Sequence, residues 1–400
     1  MRGSHRLSLA DVRSRCRGAR LSSLSKPPIV LSMTAMNPLP LAAALTLTVA
    51  FPLHAATVET EAGPMEITEI ADGFDMPWGV DFLPDGGFLV TEIAGTLVRV
   101  DAEGGRTEVS GVPQVVAQGQ GGLLDVAVAR DFGESREIFL TYSKPQDSGA
   151  GTALMVARLN EAGDGLTGGR VLFEMAEGGN TTQHYGSRVT EAADGTLFVT
   201  VGERGKADLA QSLGHHNGTV VRVARDGTVP SDNPFVGQDG ALPEIWSYGH
   251  RNPQGAAMDG EGRLWAVEHG ARGGDEINRI EPGTNYGWPE ISYGTNYNGS
   301  KIGVGTEAEG MAQPEHFWDP SIAPSGMAIL SDAIPGWDGH FVIGSLKFDS
   351  LHVLDPEDWS EEVIRTRETA RVRDVAEAPD GSVWFISEDR GAIYRLAPAD

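Results

Sequence analysis

The residues whose types and spacing could do chemistry fall in a few short segments. In QHYGSRV (183–189), His184 offers an imidazole, the side chain best placed to accept a proton near neutral pH. In YGHRNPQG (248–255), Arg251 offers a permanent charge on a planar fork of donors, and Asn252 adds one more donor and acceptor. GQGGLLD (119–125) sets Gln120 among glycines that let a ligand approach the backbone. GSLKFDS places Lys347 at a strand end, and RVRDVAEAPDG carries Arg371 and Arg373 at i and i+2. Residues so spaced on a strand share one face. Three cations aimed inward point to an anionic ligand. Between these segments, AVEHGARGGDEINRIEPGTNYGWPE (266–290) is dense in glycine, acids and amides without strand alternation. That composition suits a hard cation held by oxygens, calcium first, although EF-hand spacing is missing. Singly, each segment also has an ordinary reading: a flexible turn, a structural histidine, a solvated acidic loop, a salt-bridged strand. His215, His216, His316, His340 and His352 are expected to be structural or surface residues.

The elements that must position these residues repeat. PWGVDFLPDGGFLVTE (77–92), GSRVTEAADGTLFVTVGE (186–203), NPQGAAMDGEGRLWAVEHG (252–270) and RVRDVAEAPDGSVWFISED (371–389) are variations on one phrase. Each reads as a strand, an Asp-Gly or Gly-rich turn, and a second strand. Asp-Gly between alternating apolar residues predicts a hairpin with a type I′ turn. LLDVAVARDFGESREIFLTYS (123–143) and AILSDAIPGWDGHFVIGSLKFDSLHVLD (328–355) complete six copies. Their period of about 57 residues is longer than that of common propeller repeats and leaves room for long loops. No helical run of 3.6 period stands out. The predicted fold is all-β: a six-bladed β-propeller of four-stranded antiparallel blades, with ITEIADG (67–73) supplying the strand that closes the ring. A β-sandwich is the simpler alternative, which six similar phrases disfavour. A propeller does not by itself specify a function, so the site must lie at one mouth of the channel, in residues outside the repeat.

Composition narrows the classes. Lys and Arg number 31 against 56 Asp and Glu, a net charge of −25. Such a chain does not neutralise phosphates, so a nucleic-acid partner is not expected. One cysteine excludes a disulfide scaffold and any cysteine-rich metal site. No apolar run is long enough to span a bilayer. Residues 1–55 read as a leader outside the fold: a basic stretch, then MNPLPLAAALTLTVAFPLHAA from Met36, whose apolar part Leu39–Leu53 has signal-peptide length, then Ala55 and Ala56 at a cleavage site. The start could equally be Met33 or Met36. Removing residues 1–55 leaves 24 basic against 55 acidic residues, a balance of −31, and no cysteine. The expected product is a periplasmic or secreted single domain over 56–400.

In this order, PWGVDFLPDG, GQGGLLD, His-x-GSR, SYGHRNPQG, EHG…DEIN…NYGWP, PSIAPSGM, GSLK and RVRDV resemble the PQQ-dependent soluble aldose dehydrogenases of the glucose/sorbosone dehydrogenase family, over residues 66–397. The resemblance implies pyrroloquinoline quinone (PQQ) and calcium over the channel mouth, and oxidation of aldose sugars to lactones. By the family's pattern His184 is the general base, taking the proton of the anomeric hydroxyl while hydride passes to the quinone. Arg251 binds the quinone oxygen, Asn252 is its cofactor-binding neighbour, and Gln120 lies near the substrate. Lys347, Arg371 and Arg373 hold the cofactor carboxylates, and Glu388 is an acid near the cofactor. Gly270 and Ala271 offer backbone carbonyls to the cofactor calcium, and Glu276 and Tyr286 are backbone ligands of a structural calcium. Clustered cations and calcium are what an acidic protein needs to hold a tricarboxylate. There are departures: Gln183 and Arg204 stand where better-known relatives have an acid and a glutamine near the sugar, and Ala271 replaces a proline. Residues 291–317 are expected to be a long loop bordering the substrate site. The electron acceptor is unidentified, and monomer and homodimer are both open. A calcium-dependent hydrolase of lactonase type and a non-catalytic sugar-binding propeller are the competing readings. The first has no use for the cation cluster.

Overall fold

The structure is a computed structural model that describes residues 55–399. The leader expected over 1–55 lies outside the described residues, apart from Ala55. Six antiparallel sheets follow one another along the chain. Their innermost strands are Pro77–Phe82, Leu123–Val128, Gly186–Glu191, Pro253–Met258, Pro324–Ile329 and Val372–Glu377. Neighbouring inner strands touch in ring order and the sixth touches the first, so the sheets close into the six-bladed propeller that the repeats predict. The ring is latched as expected. Gly63–Ala71, which contains most of ITEIADG, pairs with the C-terminal strand Ala392–Pro398. One detail differs from uniform four-stranded blades: the latched blade has a fifth, outermost strand, Ala55–Thr60. Its TVET sequence is too polar to announce itself.

The Asp-Gly turns differ from the type I′ geometry expected. In each of four blades a glycine N–H returns to the carbonyl three residues back: Gly86 to Leu83, Gly195 to Ala192, Gly262 to Asp259 and Gly381 to Ala378. Only these glycines take positive φ, from 78 to 84°; their predecessors do not. This is a type I turn ended by a left-handed glycine. Where the sequence is plain Asp-Gly the aspartate stays right-handed because its carboxylate caps the turn. Asp85, Asp194 and Asp380 each accept the N–H two residues on, at 2.9–3.0 Å.

Apolar side chains fill the seams between blades, as with Trp337, Leu351, Phe385 and Tyr394 beside the latch. The inner strands obey a further rule. Each has a register shift near its start, where an extra residue bends the strand. The third residues of the six inner strands are Gly79, Asp125, Arg188, Gly255, Gly326 and Asp374. Two of the glycines, Gly79 and Gly326, leave room that the aspartates occupy. A Cβ on Gly326 would stand 2.2 Å from Asp374 Oδ1, and one on Gly79 2.9 Å from Asp125 Oδ1. Arg188 bridges Asp125 at 2.6 Å and Asp374 at 2.7 Å, so an ionic plug closes the channel axis.

Candidate active site

Above that plug, at the starts of the inner strands, lies a cavity of about 700 Å³. It gathers residues far apart in sequence: Gln120, Gly270, Ala271, Lys347, Arg371, Arg373 and Glu388 all line it. His184, Arg251 and Asn252 stand immediately behind the lining and are bonded to it. Gln120 Oε1 accepts the His184 N–H at 2.6 Å, Asn252 Oδ1 accepts the N–H of Gly186 at 3.1 Å, and Arg251 Nη1 donates to the carbonyl of His269 at 3.3 Å. Ten of the twelve sequence-predicted residues therefore meet at one mouth. The other two, Glu276 and Tyr286, line an adjoining cavity of about 10 Å³ together with Arg251, Glu268 and Gly270.

The cation cluster is built differently from a plain strand face. Arg371 precedes the strand in a left-handed conformation (φ 46°), and the register shift falls between Val372 and Asp374. Both guanidinium groups nevertheless turn to one carboxylate. Arg371 Nε meets Glu388 Oε1 at 2.7 Å and Arg373 Nε meets Oε2 at 2.5 Å. Burial pushes the Glu388 carboxyl up, but the Arg373 and Arg371 charges and hydrogen bonds outweigh it and hold it below its ordinary range. Lys347 Nζ donates to the Ser321 carbonyl at 2.8 Å. Neither Lys347 nor Arg251 has an ion-pair partner among the described residues. Arg272, Lys347, Arg371 and Arg373 thus line the main cavity against one acid, Glu388, while Arg251 shares the adjoining cavity with Glu268 and Glu276.

Around the histidine the arrangement is that of an oriented base. His184 sits in a left-handed loop (φ 55°) just before its strand, and its Nδ1 lies 2.5 Å from Glu203 Oε1. Donation from Nδ1–H to the carboxylate leaves Nε2 as the free acceptor. Burial keeps the imidazole below its ordinary range; the Glu203 hydrogen bond opposes this, and the Arg251 and Arg204 charges reinforce it. Asn252 Nδ2 and His269 Nε2 are buried without a protein partner, so polar atoms beside the cavity are left for a ligand. His269 is pushed down to about 3, chiefly by burial and then by Arg251.

Several working residues escape the sequence reading. Glu203 is one, and His269, on the cavity wall, is another. Asp275 is a third: it accepts the N–H groups of Gly270, Ile322 and Ala323 at 2.7–2.9 Å and the Ser321 hydroxyl. It thereby ties the Gly270 loop to the segment that holds Lys347. Arg204 does not face the cavity as its sequence position had implied; it is fully buried behind Tyr185. Of the long loop, Tyr297 reaches the rim of the cavity and stays 73% exposed. Trp318 points away, donating to Glu361.

A closed all-β propeller that sets a histidine–carboxylate pair beside a cation cluster at one mouth has the parts an oxidoreductase could use. The glucose / sorbosone dehydrogenase family profile matches residues 74–395, and the chain belongs to that family. It is 40% identical over 345 residues to the aldose sugar dehydrogenase YliI of Escherichia coli, covering 84% of this chain and 93% of that one. It is 28% identical to quinoprotein glucose dehydrogenase B of Acinetobacter calcoaceticus, with 78% and 82% covered. Among solved structures, the PQQ-bound aldose sugar dehydrogenase of Streptomyces coelicolor superimposes with a TM-score of 0.70 at 28% identity, over 85% of this chain and 99% of that one.

Proposed function

We propose that this chain is an exported quinoprotein that oxidises the anomeric carbon of aldose sugars to lactones, with PQQ and calcium at the cavity described. The observation that carries the reading is the surplus of cations at one mouth of an acidic propeller. Arg272, Lys347, Arg371 and Arg373 line the cavity, with Glu388 the one carboxylate among its lining residues. A hydrolase or a neutral-sugar receptor has no need of that surplus, whereas a tricarboxylate does. The relatives whose names speak of PQQ, quinoprotein and aldose support the same assignment.

The residues present fit the cofactor. Lys347, Arg371 and Arg373 would hold its carboxylates, and Glu388 keeps the two arginines parallel and in place. Asn252 Nδ2 is a buried donor without a partner, and Arg251 a buried cation without a counter-ion; both are suited to a quinone oxygen. Bound PQQ would supply the hydride acceptor, and calcium on the carbonyls of Gly270 and Ala271 would supply Lewis acidity. The chain's own part is acid–base. His184 Nε2 takes the proton of the anomeric hydroxyl as hydride leaves the carbon, and Glu203 holds the tautomer and balances the imidazolium that forms. Gln120, whose oxygen is committed to the His184 N–H, is left with its amide donors for the sugar. The 10 Å³ cavity at Glu276 and Tyr286 is the size of one ion or water. Burial and the neighbouring Glu268 push the Glu276 carboxyl up to about 8, an environment that a structural calcium would relieve. The leader over residues 1–55 would carry the protein to the periplasm or outside, where an electron acceptor reoxidises the cofactor.

The test is dye-linked oxidation of an aldose panel by cofactor-free protein, with PQQ and calcium added singly and together, beside a spectral titration with PQQ. Turnover requiring both additions is the expected result. No turnover and no spectral change would overturn the reading and leave the fold and family alone standing.

A further inference from the structure

Arg204 is the largest fully buried charged side chain among the described residues, with 0% of its surface exposed. Its contacts are unusual for a buried charge. Nη2 donates to the carbonyls of Thr181 at 2.6 Å and Ala150 at 3.2 Å, and Nη1 donates to that of Gln183. Nε has no partner, and the guanidinium lies flat on the Tyr185 ring, 3.4 Å from its centre. No ion pair to Arg204 is formed among the described residues. The nearest acid in sequence, Glu203, gives one carboxylate oxygen to His184 and forms no ion pair with Arg204, although its charge favours the guanidinium. Burying a charge without a counter-ion is expensive. Binding three carbonyls does not require a charge, since neutral donors would do, so the fold keeps this cation at a cost its clamp does not explain.

We propose that Arg204 is a positioning residue for His184: it fixes the backbone just ahead of the histidine and sets a positive charge, without an ion-pair partner among the described residues, behind the loop that carries His184. The carbonyls it holds, Thr181 and Gln183, belong to the loop that carries His184 in its left-handed conformation. The same loop is tied to the Gln120 turn through Gln120 N–H to Thr182 at 2.7 Å. The charged and titratable groups that face His184 are Glu203, Arg251, Arg204 and the imidazole of His269. Glu203 alone would favour the imidazolium and spoil the base. Arg204, behind the Tyr185 wall, and Arg251, beside the cavity, offset it. Glu203 can then orient the ring without protonating it. This inference rests on His184 being the base.

The experiment titrates His184 directly, by NMR of ¹³C-labelled histidine in the cofactor-free protein, with His184→Ala assigning the resonance. Wild type should titrate below the ordinary histidine value near 6.5. Arg204→Gln should raise the midpoint measurably, and Arg204→Lys should hold it at the wild-type value, because the charge remains. With PQQ and calcium loaded, the acid limb of the kcat profile should move by the same amounts, while PQQ affinity stays unchanged. A folded Arg204→Gln protein with an unmoved midpoint would reduce Arg204 to a clamp and overturn the proposal. So would a wild-type midpoint at or above the ordinary value, which decides the matter even if Arg204→Gln does not fold. Absence of PQQ binding would instead sink the quinoprotein reading and leave the His184 titration interpretable.

Discussion

Replacing Arg188 by methionine removes the cation from the channel plug at nearly constant volume. In the wild type its guanidinium reaches Asp125 at 2.6 Å and Asp374 at 2.7 Å, with both carboxylates 2% exposed. Breaking a buried pair of this kind costs about 3–5 kcal/mol, because charges are left without a partner. Spread over a 345-residue domain at ~2.1 cal/mol/K per residue, that loss lowers Tm by about 4–7 °C. The loss should depend on pH. Burial holds the carboxyls of Asp81, Asp125 and Asp374 above their ordinary range, at about 6 for Asp81. Acids whose folded pKa is raised are at their least costly when protonated. Stability is therefore given up as pH climbs from the unfolded value near 3.8 through the folded one. Without Arg188 the cost of ionising Asp125 and Asp374 grows, so the full deficit should appear at pH 8 and shrink at pH 5. Thermal unfolding followed by circular dichroism at the two pH values, at one scan rate, reads this directly. A deficit under about 2 °C at pH 8, or one equal at both pH values, would refute the reasoning, since an uncompensated buried carboxylate cannot be indifferent to its own protonation.

The other predictions concern the mouth and the ring. His184→Ala should lower turnover by about 10²–10⁴-fold while PQQ binding stays nearly intact; unchanged turnover in the loaded enzyme would remove His184 from the reaction. Arg371→Ala combined with Arg373→Ala should weaken PQQ binding in the spectral titration, whereas equal affinity would place the anion site elsewhere. Gly326→Ala drives a Cβ to 2.2 Å from Asp374 Oδ1 and 2.5 Å from the Val375 nitrogen. Overpacking there should cost about 1–3 kcal/mol, seen as a lower Tm, and a neutral substitution would mean that the inner strands have slack.

Much of this was legible in the sequence because the repeats carry both fold and site. The strand–turn–strand phrases give six blades, and ITEIADG gives the latch. The site cations could be picked out because they interrupt that grammar. What escaped did so for physical reasons. The phrase PDGG reads as type I′ by composition, yet an aspartate that caps its own turn has no need to go left-handed. Arg371 and Arg373 converge on Glu388 through a bulge, which residue spacing does not reveal. Glu203 and Glu388 follow the second strand of their blades, and Glu268 and Glu92 end theirs. This recurring acid was a readable signal. It looks like hairpin polarity until the fold turns three of the four toward His184, toward the backbone of Arg251 and toward the arginine pair.

The two mouths of the channel differ because different stretches of the same six strands line them. Second positions, among them Trp78, Gln254 and Arg373, open on the 700 Å³ cavity, and third to sixth positions line the other end. The plug stands below them, with Arg188 stacked 4.8 Å from the Trp78 ring that floors the cavity. The far mouth is a cavity of about 320 Å³ lined by Asp81, Asp125, Asp374, Glu191 and Glu377. An anion approaching from that side meets five carboxylates against Arg130 and Arg188, whereas the near cavity presents Arg272, Lys347, Arg371 and Arg373 against Glu388. Net charge, −25 for the whole chain, therefore says little about what the near mouth attracts. Local placement decides it, because exposed charges farther away than about 8–10 Å are screened by salt while those lining a low-dielectric cleft are not. An acidic protein can take an anion on these terms when its few cations gather at one mouth, as Arg371 and Arg373 do at the start of an inner strand and Lys347 does just past the end of a blade's second strand.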